Sequence, residues 1–237
     1  ILTRINDVSD GTEDASFFIT TMETGAQVSK MEFLPGETVF NQGSVDLDFR
    51  VESNGNANML FVDGGNDIVG IGVVPTAQFS HNIIQIGSQA SLGANAALST
   101  TGQTYLTHNL YYNTDGNLRV FNTSSANEGA ILQMVDGIFK FSNSSATTGT
   151  PTVTERVRID ASGNLLVKKT ADSLNNTTGI SLNGAAGLIR IERDNDPSLQ
   201  LNRLNASGQM VQFFRGAGNQ VGNITGNNST TSYNTSS

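Results

Sequence analysis

The sequence predicts an all-β protein, and three observations support this prediction. Only 37% of the residues are hydrophobic and 14% are charged, so Gly, Asn, Ser and Thr dominate the remainder. These residues favour turns and short strands over helices. No stretch of helical length shows the apolar spacing that one buried helix face requires. Short apolar segments alternate instead with Gly/Asn turns, which is typical of strands and hairpins.

A triplet of an apolar residue, Arg and a β-branched residue appears at four places in the chain. The copies occupy residues 49–51, 118–120, 157–159 and 189–191. Because alternate residues of a strand point to opposite faces, each triplet predicts a half-buried strand with its apolar residues inward and its Arg outward. The copies are unequally spaced, so the pattern does not indicate a solenoid with one fixed repeat.

Residues 1–44 form an N-terminal segment of short strands. The segment opens with an acidic stretch, N-D-V-S-D-G-T-E-D, which we expect to be flexible. Two strands are predicted near residues 16–21 and 28–34, because apolar and β-branched residues concentrate there before the turn at Pro35-Gly36.

Residues 45–78 hold the first complete module, which runs strand, turn, strand and ends in V-G-I-G-V-V-P. Gly70 and Gly72 lack the third glycine of a dinucleotide-binding fingerprint, since Pro75 stands at that position. We interpret the two glycines as sites where backbones approach closely, and Pro75 as the end of a strand.

Residues 79–150 form the largest insert, and two hairpins are predicted within it. The first has strands near residues 104–112 and 118–121 around the turn N-T-D-G. The second turns at Asp136-Gly137 between apolar segments near 131–135 and 138–141. An Asp-Gly pair between alternating apolar residues is a strong hairpin signal.

The same insert is the candidate host-contact region. It contains both histidines and three of the four tyrosines. The histidines lack a nearby cysteine or carboxylate, so we expect no metal site. The tyrosines either fill a core, which we favour, or stand exposed as stacking platforms for sugars or protein partners. Because functional loops commonly interrupt a scaffold, the candidate receptor contacts are Tyr105, His108, Tyr111 and Tyr112.

Residues 151–237 carry two further strand–turn–strand modules and end in a polar tail, which predicts a stem of short strands. Glu192, Asp194 and Asp196 alternate, and paired carboxylates can hydrolyse glycosides. Asn195 and Pro197 indicate that the chain is already turning there. A solvated turn is therefore the favoured interpretation.

The composition also limits the partners. The net charge of −8 comes without a basic stripe, so nucleic acid is not expected. There is no cysteine, and hence no disulfide or thiolate site. No apolar run of about eighteen residues predicts insertion into a membrane. We expect no cofactor, no metal and no catalytic residue.

Two stretches carry a resemblance to a known family. The first is D-F-R-V-E-S-N-G-N-A-N-M-L-F-V-D-G-G-N-D, which continues as I-V-G-I-G-V-V-P-T-A-Q-F (residues 48–79). The second is G-A-G-N-Q-V-G-N-I-T-G-N-N-S-T-T-S-Y-N-T-S-S (residues 216–237). The first is similar to tail fibres of marine phages that are matured by a C-terminal endosialidase-type intramolecular chaperone. The second resembles the segment just upstream of that chaperone's self-cleavage point.

The resemblance implies an elongated homotrimer with interdigitated β-helix segments and small hairpin or sandwich inserts. It also implies a place in the virion tail, outside the cell, next to other tail proteins. A transient chaperone domain would bring three chains into register, and its removal would leave Ser237 as the mature C-terminus. Strands this short leave apolar faces and edges exposed in one chain, which equally favours winding three copies together.

The function expected from the resemblance and the strand pattern is structural. The chain would be a tail fibre subunit that attaches to a host-cell glycan or protein, and it would not be an enzyme. Two alternatives stay open. An enzymatic tailspike that degrades host glycan needs two positioned carboxylates in a groove. A trimeric surface adhesin of a bacterium would carry similar repeats.

Overall fold

A computed structural model folds the chain into three consecutive β-sheets and one small hairpin. It describes residues 2–11, 14–78, 81–95, 102–122, 128–145, 150–174, 177–202, 204, 207–227 and 229–235. Every regular element within these ranges is a strand, which confirms the predicted all-β class. The same ranges contain no helix long and apolar enough to cross a membrane.

The first sheet is a four-stranded antiparallel meander. Its strands are β1 (Leu2–Asp7), β2 (Asp14–Glu23), β3 (Ala26–Leu34) and β4 (Glu37–Phe40). The two strands predicted in this segment correspond to β2 and β3 and are longer than expected. The acidic stretch differs from the expectation, because Asn6 and Asp7 belong to β1. This strand pairs with the free edge of β2, where Arg4 lies opposite Ser16.

The second sheet contains twelve strands and extends through most of the chain. It begins with β5 (Phe49–Val51), β6 (Leu60–Asp63), β7 (Ile68–Ile71), β8 (His81–Ile86), β9 (Ala90–Asn95) and β10 (Gln103–His108). A separate hairpin follows, made of β11 (Leu110–Tyr112) and β12 (Leu118–Val120). The sheet resumes with β13 (Gly129–Val135), β14 (Ile138–Ser144), β15 (Val153–Ile159), β16 (Leu165–Val167), β17 (Gly179–Asn183) and β18 (Leu188–Glu192).

Neighbouring strands of this sheet are antiparallel except for β7 and β8, which run parallel. The sheet is therefore an open meander, and the described chain by itself does not form the β-helix that the sequence suggested. The third sheet is a C-terminal meander of β19 (Gly208–Arg215), β20 (Asn219–Gly226) and β21 (Thr231–Thr235).

Turn chemistry explains the two predicted hairpins of the insert. Asp136 and Gly137 both adopt positive φ, 50° and 76°, as the two-residue turn between β13 and β14 requires. This hairpin is confirmed. The other hairpin also forms, but the strand predicted over 104–112 is interrupted. Asn109 has a φ of 54°, which ends β10 and directs β11 away from the sheet.

A five-residue turn is used twice with different sequences. In N-T-D-G-N, the amide of Asn113 donates to the carbonyl of Asn117 at 2.9 Å, and the amide of Gly116 donates back to Asn113 at 2.8 Å. In D-A-S-G-N, the equivalent bonds join Asp160 to Asn164 at 3.0 Å and Gly163 to Asp160 at 2.9 Å. The same local geometry therefore closes β11–β12 and β15–β16.

One face of the twelve-stranded sheet carries an unbroken apolar row. Each residue of this row is the register partner of the next, so their side chains share one face. We call it the central row. It consists of Phe49, Val62, Val69, Ile84, Leu92, Leu106, Leu132, Phe141, Val157, Val167, Ile180 and Ile191, one from each strand.

The opposite face is the one that the chain covers. The buried apolar side chains of the sheet all belong to it: Phe61, Ile68, Ile83, Tyr105, Ile131 and Leu166. Three parts of the chain lie over them, namely residues 72–78, the β11–β12 hairpin and residues 168–174. At Gly70 an added Cβ would stand 2.2 Å from the carbonyl oxygen of Val73, which confirms the predicted close backbone approach there. At Gly72 the prediction is wrong, because the nearest atom to an added Cβ is the side-chain Nδ2 of Asn56 at 3.5 Å.

The arginine triplets lie in strands as predicted. The triplet at 118–120 also has the predicted sides, since Val120 is buried in the core with Leu118 packed against it, but the last two triplets are reversed. In the last triplet Ile189 is 71% exposed, whereas the side chain of Arg190 is only 26% exposed. Arg158 and Ile159 show the same reversal. The reason is non-local: residues 168–174 cover the arginine face, and no described segment covers the apolar residues of these two triplets.

The turn between β13 and β14 leads to a first prediction. Gly137→Ala should lower the free energy of unfolding by about 1 kcal/mol, because a Cβ strains a residue in the left-handed region. Space is not the cause, since the nearest atom to the added Cβ is 3.7 Å away. Gly184→Ala is the matched control in another turn, with open space and no positive φ. Equal urea-unfolding curves for the two variants would contradict this explanation.

Candidate functional site

The uncovered face of the large sheet is the most extensive candidate surface. It consists of the central row and of two rows beside it, defined by the same register. Flank A comprises Val51, Leu60, Ile71, Ile86, Ala90, His108, Ala130 and Asn143. Flank B comprises Asn82, Ala94, Thr104, Met134, Phe139, Ile159, Leu165, Leu182 and Ile189. None of these described residues is buried.

The accessible surface of the chain measures how much remains uncovered. It amounts to 15386 Å². A compact single chain of this length exposes about 10,000 Å². The excess, to which all three sheets contribute, is comparable with what large permanent interfaces bury. Scattered apolar side chains are ordinary on protein surfaces, but a contiguous apolar face of this extent indicates an interaction surface.

The β11–β12 hairpin is the second candidate surface, and its inner side belongs to the core. Leu110 and Val120 pack with Tyr105 and Ile131 of the covered face. Gly129 provides the room, because an added Cβ there would stand 2.5 Å from Cγ of Leu110. Core packing on its inner side therefore fixes the hairpin in place, and its other side faces outward.

Two of the four predicted receptor contacts are packing residues. Tyr105 is 0% exposed, and its ring centroid lies 5.0 Å from that of Tyr112. Burial raises the pKa of both phenols. The hydroxyl of Tyr112 accepts a hydrogen bond from Nε2 of Gln133 at 3.0 Å. The expectation of a receptor contact therefore does not fit Tyr105, and the favoured alternative of core packing applies to both tyrosines.

Tyr111 lies on the outer side of the hairpin. Its ring stacks on Phe121 with centroids 4.6 Å apart, and its register partner is Arg119. Nη2 of Arg119 contacts Oδ2 of Asp115 at 2.6 Å. The hydrogen bond from the backbone of Asn117, followed by smaller contributions that include Arg119, lowers the pKa of the Asp115 carboxyl. An aromatic surface beside fixed donors and acceptors suits contact with a sugar or a peptide.

The remaining predicted residues lie elsewhere. His108 is exposed on flank A, between Ala90 and Ala130 of the neighbouring strands. The structure therefore does not bring the four predicted contacts together in one site. Ser237, the predicted cleavage residue, lies outside the described residues.

The alternating carboxylates are divided between a strand and the bend that follows it, where Asp194 and Asp196 lie, as the sequence indicated. Glu192 is the last residue of β18 and forms an ion pair with Lys169. Asp196 contacts Arg193 at 2.5 Å between Oδ2 and Nη2. Two members of the group are thus neutralised by neighbouring cations, as expected for a charged turn.

A polar cluster that sequence reasoning missed holds residues 168–174 against the covered face. The side chain of Lys169 is only 1% exposed, and its Nζ donates to the carbonyl of Ser173 at 2.9 Å. Asp172 pairs with Arg190 and accepts from Oγ of Ser181 at 2.8 Å. The Arg190 guanidinium, with the hydrogen bonds from Asn183 and Ser181, holds the pKa of Asp172 well below its usual range.

The described residues contain no group of three or more His, Cys, Asp or Glu side chains placed to hold a metal ion. Comparison of the chain with protein-family models, with curated proteins and with solved structures finds no match.

The Asp172 cluster generates a pH prediction. Because the folded-state pKa is lowered, the cluster stabilises the fold above the ordinary Asp pKa of about 4, and this contribution disappears as the pH falls through the lowered value. Asp172→Asn should therefore destabilise the protein at pH 7 and reduce its further loss of stability between about pH 5 and pH 2. Thermal unfolding across this range measures both effects.

Asp194→Asn is the matched control, since Asp194 is exposed in the turn after β18. It should leave both the stability at pH 7 and the acid dependence as in the parent protein. An Asp172→Asn variant whose acid profile also matches the parent would contradict the role assigned to the cluster.

Proposed function

We propose that the chain is a structural subunit of a homotrimeric phage tail fibre that attaches the virion to its host. The observation that carries the proposal is the uncovered apolar face of the large sheet. All twelve strands contribute to it, and none of the residues in its three rows is buried in one chain. A face of this kind requires a partner, and further copies of the same chain supply one with the same extent and composition.

Three copies would form a three-walled prism with their central rows directed towards a common axis. Complete burial of a Val, Leu or Ile side chain of the central row stabilises an assembly by about 1.5–3 kcal/mol. Two copies packed face to face would also cover the surface. The choice of three rests on the resemblance of residues 48–79 and 216–237 to tail fibres. Interdigitation of the three chains as a β-helix belongs to the same proposal.

The hairpin supplies the proposed host contact. With the sheet's apolar face turned towards the axis, the covered face and its β11–β12 hairpin point outward. Tyr111 and Arg119 would then face the medium in each subunit, where a host-cell glycan or protein is the partner. The acidic net charge of −8 per chain favours solubility of such a particle.

The rest of the proposal follows from the same resemblance. The fibre would belong to the extracellular virion tail and contact other tail proteins. A transient C-terminal chaperone would set the register of the three chains before its removal. The role is structural and not enzymatic, and the ion pairs of Glu192 and Asp196 are consistent with a charged turn in a stem.

Assembly through the apolar face is tested by Leu106→Asp. Leu106 lies in the middle of the central row and is 49% exposed in one chain. In a trimer, three carboxylates would be forced into a dry interface, so the variant should sediment as monomers or aggregate. Sedimentation velocity should give a trimer for the parent protein and for Ala185→Asp, a control in an exposed turn. A stable parent monomer, or an intact Leu106→Asp trimer, would refute the proposal.

Host attachment through the hairpin is tested by Tyr111→Ala. Removal of this half-buried outer ring should weaken binding of fluorescently labelled trimer to susceptible cells by about tenfold, since stacking contacts of this kind contribute about 1 kcal/mol or more. Flow cytometry over a panel of bacterial strains measures the binding. Tyr112→Phe is the control, because it alters a tyrosine of the inner side. Unchanged binding of Tyr111→Ala with an intact trimer would place the receptor contact elsewhere.

A further inference from the structure

The two flanks of the apolar face differ in a regular way along the sheet. From β5 to β8, flank A presents large apolar residues, Val51, Leu60, Ile71 and Ile86. At β8 to β10, flank B presents Asn82, Ala94 and Thr104. At β8, where residues on both flanks are paired, the bulk beside the central row therefore lies on flank A.

The second half shows the opposite distribution. From β13 to β18, flank B presents large apolar residues, Met134, Phe139, Ile159, Leu165, Leu182 and Ile189. Flank A now presents Ala130 and Asn143. The large side chains thus change flank between β9 and β13, while the central row remains apolar throughout.

We propose that flank A of one copy packs against flank B of the next copy at the same strand level. This pairing rests on the proposed trimer. In a three-walled prism whose axis runs above the central row, neighbouring walls meet along their flanks, and rotation brings unlike flanks together. At the levels of β8, β13 and β14 the pairing then joins a large residue to a small or polar one, which fills the corner without overcrowding it.

Contact between like flanks fits the residues less well. It requires one copy to run the opposite way along the axis, and a two-fold axis at the level of β8 would bring Ile86 against Ile86 or Asn82 against Asn82. Large residues would crowd one corner, and the opposite corner would contain a gap lined by polar groups. Both crowding and gaps cost stability in packed interfaces. The partner on each flank is therefore a second copy of this chain with its opposite flank.

The absence of cysteine allows a direct test by cross-linking. The double variant Asn82→Cys/Ile86→Cys places thiols on both flanks of β8. Four residues apart in one strand, the two positions are separated by about 13 Å. A dithiol-reactive reagent shorter than this span cannot join them within one chain. In the proposed assembly it joins each copy to both neighbours and gives a covalent closed trimer on a denaturing gel.

The single variants Asn82→Cys and Ile86→Cys are the matched controls. Each should remain monomeric on the denaturing gel, because like flanks do not meet. Trimers assembled from an equal mixture of the two single variants should give covalent dimers. The second half of the sheet offers an independent pair, Phe139→Cys/Asn143→Cys on β14, with the same expected pattern.

The outcomes separate the pairing from the proposed function. Cross-linking of a single variant, or no cross-linking of the double variants in a protein that sediments as a trimer, overturns the flank pairing and leaves the trimer standing. A parent protein that sediments as a monomer overturns the trimer, and the pairing with it. Closed covalent trimers from both double variants, with monomers from all single variants, support the pairing.

Discussion

A sheet one layer thick has two faces, and the described part of this chain covers one of them, apart from the contact of Phe40 with Phe49 at one end. The buried apolar residues of the large sheet, from Phe61 to Leu166, lie on the face that carries the hairpin and two crossing segments. The central row on the other face is at best half-buried. Because apolar burial is the dominant favourable term in folding, the uncovered face represents stabilisation that one chain cannot gain alone. The proposed assembly and attachment role both depend on this asymmetry.

The covered face carries more charged and polar side chains than the uncovered face, and there is a physical reason for this difference. Irregular segments have no ladder partners of their own, so their polar groups need side-chain partners when they are buried. Lys169 and Asp172 provide such partners for one crossing segment. Gly70 and Gly129 provide the space that Val73 and Leu110 occupy. The result is a face with ions, hydroxyls and glycines opposite a face that is almost purely aliphatic and aromatic.

Local patterns predicted the strands and the Asp136-Gly137 turn, because alternation and turn chemistry are local properties. The faces were harder to predict. Alternation shows that Ile189 and Arg190 point to opposite sides, but only residues 168–174, distant in the chain, decide which side is covered. The tyrosines show the same limit. Asn109 interrupts the strand between Tyr105 and Tyr111 with a positive φ. Asn adopts positive φ more readily than most other residues except glycine, so its position in the sequence could have indicated the end of the strand.

The register of so long a sheet needs more than an apolar row. A slip of one residue would exchange the two faces of a strand and is strongly disfavoured. A slip of two residues would keep the faces and alter only the flanks. Tight turns prevent this in the hairpins, but parallel strands such as β7 and β8 cannot be joined by a tight turn. There, buried Gln85 accepts from the amide of Thr76 at 2.8 Å and donates to the carbonyl of Gly87 at 3.0 Å, while the amide of Gly87 donates to Ile71 at 2.9 Å. The bond of Thr76 to Gln85 and the bond of Gly87 to Ile71 join β8 to the preceding chain in this register, and they hold the level at which Ile71 and Ile86 stand side by side on flank A.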